Sequence, residues 1–143
     1  MSAGKMSVHS IAEVEFGAEL PDFTPDTSIG NVRRFCAAAG WNGPRFTDHQ
    51  AARELGLPSA IVPGVMSQGF LTAVLHRWAP TGRIGKIDTV FRAPVLVDTP
   101  HKISAVVTDI AEHRGEVELD LTVTNERGET RVFGTATLVL PPA

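Results

Sequence analysis

The sequence predicts an α+β fold in which an antiparallel sheet wraps one long buried helix, and three observations predict it. The run from Val65 to Trp78 is apolar on almost every side, the mark of a helix enclosed by other elements. From Ile84 onward the apolar period changes from helical spacing to alternation. It is clearest where Val117, Leu119, Leu121 and Val123 interleave with Glu118, Asp120, Thr122 and Thr124, as in a half-buried antiparallel strand. The helical segments also precede the main strands instead of alternating with them, which suits helices gathered on one face of an antiparallel sheet.

Taken in order, Glu13 to Pro25 alternates weakly and carries Gly17, Pro21 and Pro25, so an edge strand followed by an extended lead-in is expected. Thr27 or Ser28 then caps a helix in which Ile29, Val32, Phe35, Cys36 and Ala39 share one face, and Gly40 stops it. Asp48 is placed to cap a short helix through Glu54, closed by Gly56 and Pro58. Pro63 and Gly64 open the long helix. Glu112 to Gly115 and Asn125 to Gly128 supply turns on either side of the alternating strand, and Arg131 to Leu140 forms the last strand before Pro141 and Pro142. No repeat, low-complexity tract or linker interrupts the chain, and residues 1–143 are expected to form a single domain.

The totals narrow the function classes. With 143 residues and 43% apolar content, a core can form without disulfide or metal support. Cys36 is the only cysteine, so no internal disulfide exists and a cytoplasmic setting is expected. Met1 to Ser10 lacks the apolar core of a secretory signal. The Val65 to Trp78 run is too short and too interrupted to span a membrane. A formal net charge of −3 with scattered basic residues gives no stripe for a nucleic-acid backbone. None of the histidines at 9, 49, 76, 101 and 113 stands at metal-ligand spacing from another, so neither a metal nor a cofactor is expected.

The segment Ala39-Gly40-Trp41-Asn42-Gly43-Pro44-Arg45-Phe46-Thr47-Asp48 resembles the motif Ser-Gly-Asp-x-Asn-Pro-x-His-x-Asp of the MaoC-like (R)-specific enoyl-CoA hydratases and 3-hydroxyacyl dehydratases. Gly40, Pro44 and Asp48 keep its frame, while Trp41 stands at the catalytic Asp and Phe46 at the catalytic His. The resemblance extends over most of the chain. Glu15-Phe16-Gly17 to Pro25 is similar to the family's lead-in, Pro63-Gly64-Val65-Met66 to its His-Gly-Met, Phe91-Arg92-Ala93-Pro94-Val95 to its Phe-Arg-x-Pro-Val strand, and Gly134-Thr135-Ala136-Thr137 to its final strand. It implies a single hot-dog fold, in which the sheet wraps the central helix.

In active members of that family the Asp and His hold one water and add it across the double bond of an enoyl thioester, or run the reverse elimination. Trp41 offers only an indole N–H donor and Phe46 no polar atom. General acid–base groups supply about 10²–10⁴-fold each, so ordinary hydration by this chain is expected to be very slow. The start of the central helix, following Pro63, would still aim the backbone N–H groups of Gly64 and Val65 at a thioester carbonyl.

Each candidate side chain has a plainer reading beside the functional one. Trp41 and Phe46, with Asn42, either line an acyl pocket or fill the old catalytic cavity. Asp48 and His49 are the nearest replacement for the lost pair, but Asp48 is already explained as a helix cap. Gln68, like Ser67, either contacts ligand or bonds neighbouring backbone. Arg92 is read as a structural residue pairing an acid or a carbonyl, and Arg45 as an exposed surface arginine.

Three functions are consistent with these residues. The first is a degenerate MaoC-like subunit that shapes the acyl site of an active paralogue, as homodimer or heteromer, on a CoA or carrier-protein thioester. The second is a self-sufficient enzyme that dehydrates, isomerises or cyclises a specialised acyl or polyketide intermediate. The third is an acyl-binding or scaffold protein without catalysis.

Overall fold

The expected lead-in strand is, in the computed structural model, a line of separate bridges instead of a continuous ladder. The structure describes residues 6–143, so residues 1–5 of the Met1 to Ser10 stretch lie outside it. A 3-10 turn at Ile11–Glu13 is closed by Glu13 reaching back to the Ser10 N–H at 2.9 Å. The chain then runs extended beside a later strand, bridged at Glu19 to Val106 and at Phe23 to Ile103. Pro21 and Pro25 have no N–H to give, which keeps this edge from pairing along its whole length.

Helix α1 spans Ile29–Ala39, with the Ser28 hydroxyl accepting the Asn31 N–H at 3.3 Å and Gly40 ending it at φ +70°. Val32 and Cys36 are buried, and Ile29 and Phe35 pack partly against the core. Ala39 is exposed, so the buried face is narrower than its spacing suggested. Helix α2, Pro44–Thr47, was not anticipated from the sequence; Pro44 starts it and buried Phe46 pins it to the core. Helix α3 spans His49–Glu54 and is capped by Asp48 as expected.

Helix α4 spans Gly64–Trp78. Met66, Leu71, Val74, Leu75 and Trp78 face the core, whereas Val65 is 56% exposed and Gly69 and Ala73 are exposed beside it. The expected burial on most sides has one exception, the face of Val65, Gly69 and Ala73. Residues four apart share one helix face, and among the described residues nothing covers the face carrying Val65, Gly69 and Ala73.

Four strands complete the fold: β1 at Arg83–Phe91, β2 at His101–Ala111, β3 at Glu116–Asn125 and β4 at Thr130–Val139. They form one antiparallel sheet in the order β1-β4-β3-β2. The inward rows of Ile103, Ala105 and Val107, of Val117, Leu119, Leu121 and Val123, and of Val132, Ala136 and Leu138 share one core with α4. One cross-sheet row reads Thr89, Gly134, Leu121, Ala105. A Cβ on Gly134 would collide with the Asp88 carbonyl, so glycine is required where β1 crosses closest to β4.

Candidate functional site

The segment joining α1 to α3 folds its aromatic residues together. Gly40 turns the chain so that the Trp41 N–H donates to the Cys36 carbonyl at 2.9 Å. The Phe46 ring lies back under Gly43, whose missing side chain leaves it room; a Cβ there would sit 3.2 Å from the ring. Trp41 stands 5.8 Å from Phe46, centroid to centroid, and 6.1 Å edge-on from Phe35. The Arg45 guanidinium covers the Phe46 ring at 4.7 Å. Phe46 is 8% exposed and Trp41 37% exposed, while Asn42 is exposed.

Asp48 and His49 do not face one another. Asp48 Oδ1 accepts the N–H groups of Gln50 at 2.9 Å and Ala51 at 3.1 Å, at the start of α3. His49 Nδ1 accepts the Ala60 N–H at 3.1 Å, and Nε2 meets Asp98 Oδ2 at 2.7 Å. Because Nδ1 accepts, the ring proton must be on Nε2 and the imidazole neutral. Asp98 itself stands at φ +62°, in the left-handed region that Asp tolerates better than most residues. Its other oxygen accepts the Ile29 N–H at 2.9 Å, and its own N–H donates to Thr27. The His49 hydrogen bond first, then that of Ile29, hold the Asp98 carboxyl below the usual carboxylate range.

At the start of α4, Pro63 is buried and no side chain caps the first turn. A cavity of about 280 Å³ opens here, lined by Ile61, Gly64, Ser67, Phe91, Arg92 and Val95 among others. The Phe91 ring lies against Gly64, within 3.3 Å of where a Cβ would stand. Two backbone bonds tie this wall to its surroundings, Ile61 N–H to the Arg45 carbonyl at 3.0 Å and Val62 N–H to Val95 at 2.8 Å. The structure thus brings Gly64, Ser67 and Arg92 to one cavity, while Trp41 and Phe46 cluster with Phe35 and are not among its lining residues.

Gln68 points elsewhere, donating to the Thr89 hydroxyl at 3.3 Å and so linking α4 to β1. Ser67 is 3% exposed. Arg92 is exposed at the cavity rim and, among the described residues, has no acid partner. The roles of Phe91 over Gly64 and of Asp98 behind His49 were missed in the sequence. The only signal for Asp98 was the turn chemistry of Asp98-Thr99-Pro100.

Among the described residues no three His, Cys, Asp or Glu side chains converge as a metal site would require, and no helix is long and apolar enough to cross a membrane.

The model of the MaoC-like domain matches residues 30–128. No curated protein sequence matches the chain. Among solved structures, the unliganded (R)-hydratase PhaJ1 from Pseudomonas aeruginosa superposes with a TM-score of 0.86 at 21% identity, covering 94% of this chain and 86% of that one. The ChsH1–ChsH2 complex from Mycobacterium tuberculosis gives 0.80 at 19% identity, covering 89% and 98%. The HadBC (3R-hydroxyacyl-ACP dehydratase) complex from the same organism gives 0.69 at 19% identity, covering 87% and 96%. At such identities the likeness establishes the hot-dog fold.

Proposed function

Since this chain belongs to the MaoC-like domain family, we propose that it holds an acyl thioester, on coenzyme A or a carrier protein, as the non-catalytic, substrate-shaping subunit of a pair with an active relative. The contact of Trp41 with Phe46 at 5.8 Å carries this reading. These rings stand where the family motif has its acid and base, and neither can transfer a proton. The adjacent positions support the same reading: Asp48 Oδ1 caps the α3 backbone and both nitrogens of His49 are engaged.

Thioester binding is supported by the space that remains. Phe46 fills its own site, yet a cavity of about 280 Å³ stays open beside Gly64. The uncapped first turn of α4 supplies N–H donors and the positive end of a helix dipole to a carbonyl oxygen there. This favours a binding subunit over a scaffold with a collapsed site.

Pairing is supported by two uncovered features. The outer edge of β1 has no strand partner among the described residues, whereas the β2 edge is shielded by the lead-in. A long open edge presents a row of unpaired backbone groups that a second chain can take up. The bare α4 face of Val65, Gly69 and Ala73 offers small apolar surface to the same kind of neighbour. The two Mycobacterium tuberculosis complexes of this fold are themselves built from two different proteins.

Co-expression with an intact relative encoded beside this chain, followed by native mass measurement, is expected to give a mixed assembly. A stable homodimer that ignores every such relative would contradict the proposal.

A further inference from the structure

A second cavity lies at the far end of α4. The helix from Gly64 to Trp78, at about 1.5 Å per residue, separates it by roughly 21 Å from the thioester site. Its volume is about 200 Å³, and its walls include Leu20 and Phe23 of the lead-in and Val74, Arg77 and Trp78 of α4. Leu20 and Val74 are buried, so the interior is mainly apolar.

Two polar groups there have no polar partner among the described residues, Arg77, which is exposed, and Trp78, which is buried. Arg77 lies over the Phe23 ring at 4.9 Å and, among the described residues, has no carboxylate within ion-pair distance. Asp22 also lines the cavity, but its oxygens face Lys102 at 3.7 Å and Ser104 at 3.4 Å. Trp78 is 2% exposed, and its indole N–H has no acceptor among the described residues. Buried donors are nearly always satisfied, and an exception in a cavity wall points to a group that the described residues do not supply.

We propose that this cavity binds a small amphiphilic carboxylate. One carboxylate oxygen takes the Arg77 guanidinium, the other takes the Trp78 indole N–H, and the hydrocarbon part rests on Leu20, Phe23 and Val74. A guanidinium on an aromatic face is well suited to this, being charged, flat and weakly hydrated. At about 30 Å³ per water, the space equals roughly seven waters, enough for about eight non-hydrogen atoms. Because the indole nitrogen is closed off from solvent, the contact requires the ring to turn toward the cavity.

That rotation is directly observable. The chain has two tryptophans, so its ¹⁵N spectrum carries two indole signals, assigned with Trp41→Phe. Titration with hexanoate is expected to shift the Trp78 signal saturably and leave Trp41 in place. Arg77→Met should weaken that binding about tenfold or more, the loss expected of one charge-assisted hydrogen bond, and hexan-1-ol should bind correspondingly worse than hexanoate. Val74→Phe, which fills the cavity, should abolish the shift. Absence of a saturable Trp78 shift would overturn the proposal. So would an equal shift at Trp41, or undiminished binding in Arg77→Met. The site is independent of the thioester reading, and either can fail alone.

Discussion

The imidazole of His49 donates from Nε2 to the Asp98 carboxylate at 2.7 Å while its Nδ1 accepts the Ala60 N–H. A pair that resembles a catalytic dyad in composition is thereby a strut. It joins α3, the loop before α4 and, through the Ile29 N–H, the start of α1. A general base needs a free lone pair, and the only lone pair of this ring is already taken.

His49→Ala should therefore cost stability and not chemistry. Two hydrogen bonds are lost and the Ala60 N–H is orphaned, an expected loss of about 1–2 kcal/mol given the partial exposure of the pair. Urea unfolding measures it, and thioester binding by the folded variant should stay within about twofold. The Asp98 carboxyl is depressed by its His49 and Ile29 hydrogen bonds. Its contribution is thus complete above the ordinary carboxylate value of 3.8 and is lost as pH falls through the lower folded value. Asp98→Asn should flatten that acid limb.

His101 gives a dependence of the same sign in a higher pH window. It is 4% exposed, and its Nδ1–H donates to the Thr99 carbonyl at 2.8 Å. Burial pushes its pKa below the ordinary 6.5, opposed by the Thr99 bond and aided by Arg131. The unfolded chain then binds the proton more readily, so stability contributed by neutral His101 is present above about 6.5 and declines as pH falls below it. Unfolding curves between pH 5 and pH 8 should show that slope in the parent and a shallower one in His101→Gln.

Gly134→Ala should be the most damaging single methyl in the sheet, because the added carbon meets the Asp88 carbonyl across the β1–β4 ladder. A loss of about 1–3 kcal/mol, or failure to fold, is expected. Thr135→Ala, on the exposed side of the same strand, should be nearly neutral, and thermal melts of the two compare them directly.

Phe46→Ala should destabilise by about 3–5 kcal/mol, the usual range for emptying a buried aromatic site. Trp41→Ala should cost less, since Trp41 is 37% exposed. If the rings support each other through their 5.8 Å contact, the double variant should cost less than the sum of the two. Strict additivity in denaturant unfolding would argue that each ring packs independently.

Strand alternation, the Ser28 and Asp48 caps and the Gly40 stop were legible because they depend on neighbours in sequence. Helix α2 was not, since its four residues hold shape through burial of Phe46 and through Ile61 bonding to Arg45, contacts no local pattern carries. The bare α4 face was missed for a related reason. Apolar content says that a surface seeks cover, and Val65, Gly69 and Ala73 do not say which chain provides it. Separate sequence fragments pointed to Gly64 and to the aromatic pair, which the structure keeps apart, and the Phe91 ring on Gly64 and the Asp98 partner of His49 come from residues 27 and 49 positions away.

The proposed absence of proton chemistry at Trp41 and Phe46 is tested most directly by assaying hydration of a short enoyl-CoA with the purified chain, alone and as Trp41→Asp with Phe46→His. The parent should show no hydration above background, and the double variant should gain it while either single change does not. Hydration by the parent chain alone would contradict the account, as would a folded, thioester-binding double variant that remains inert.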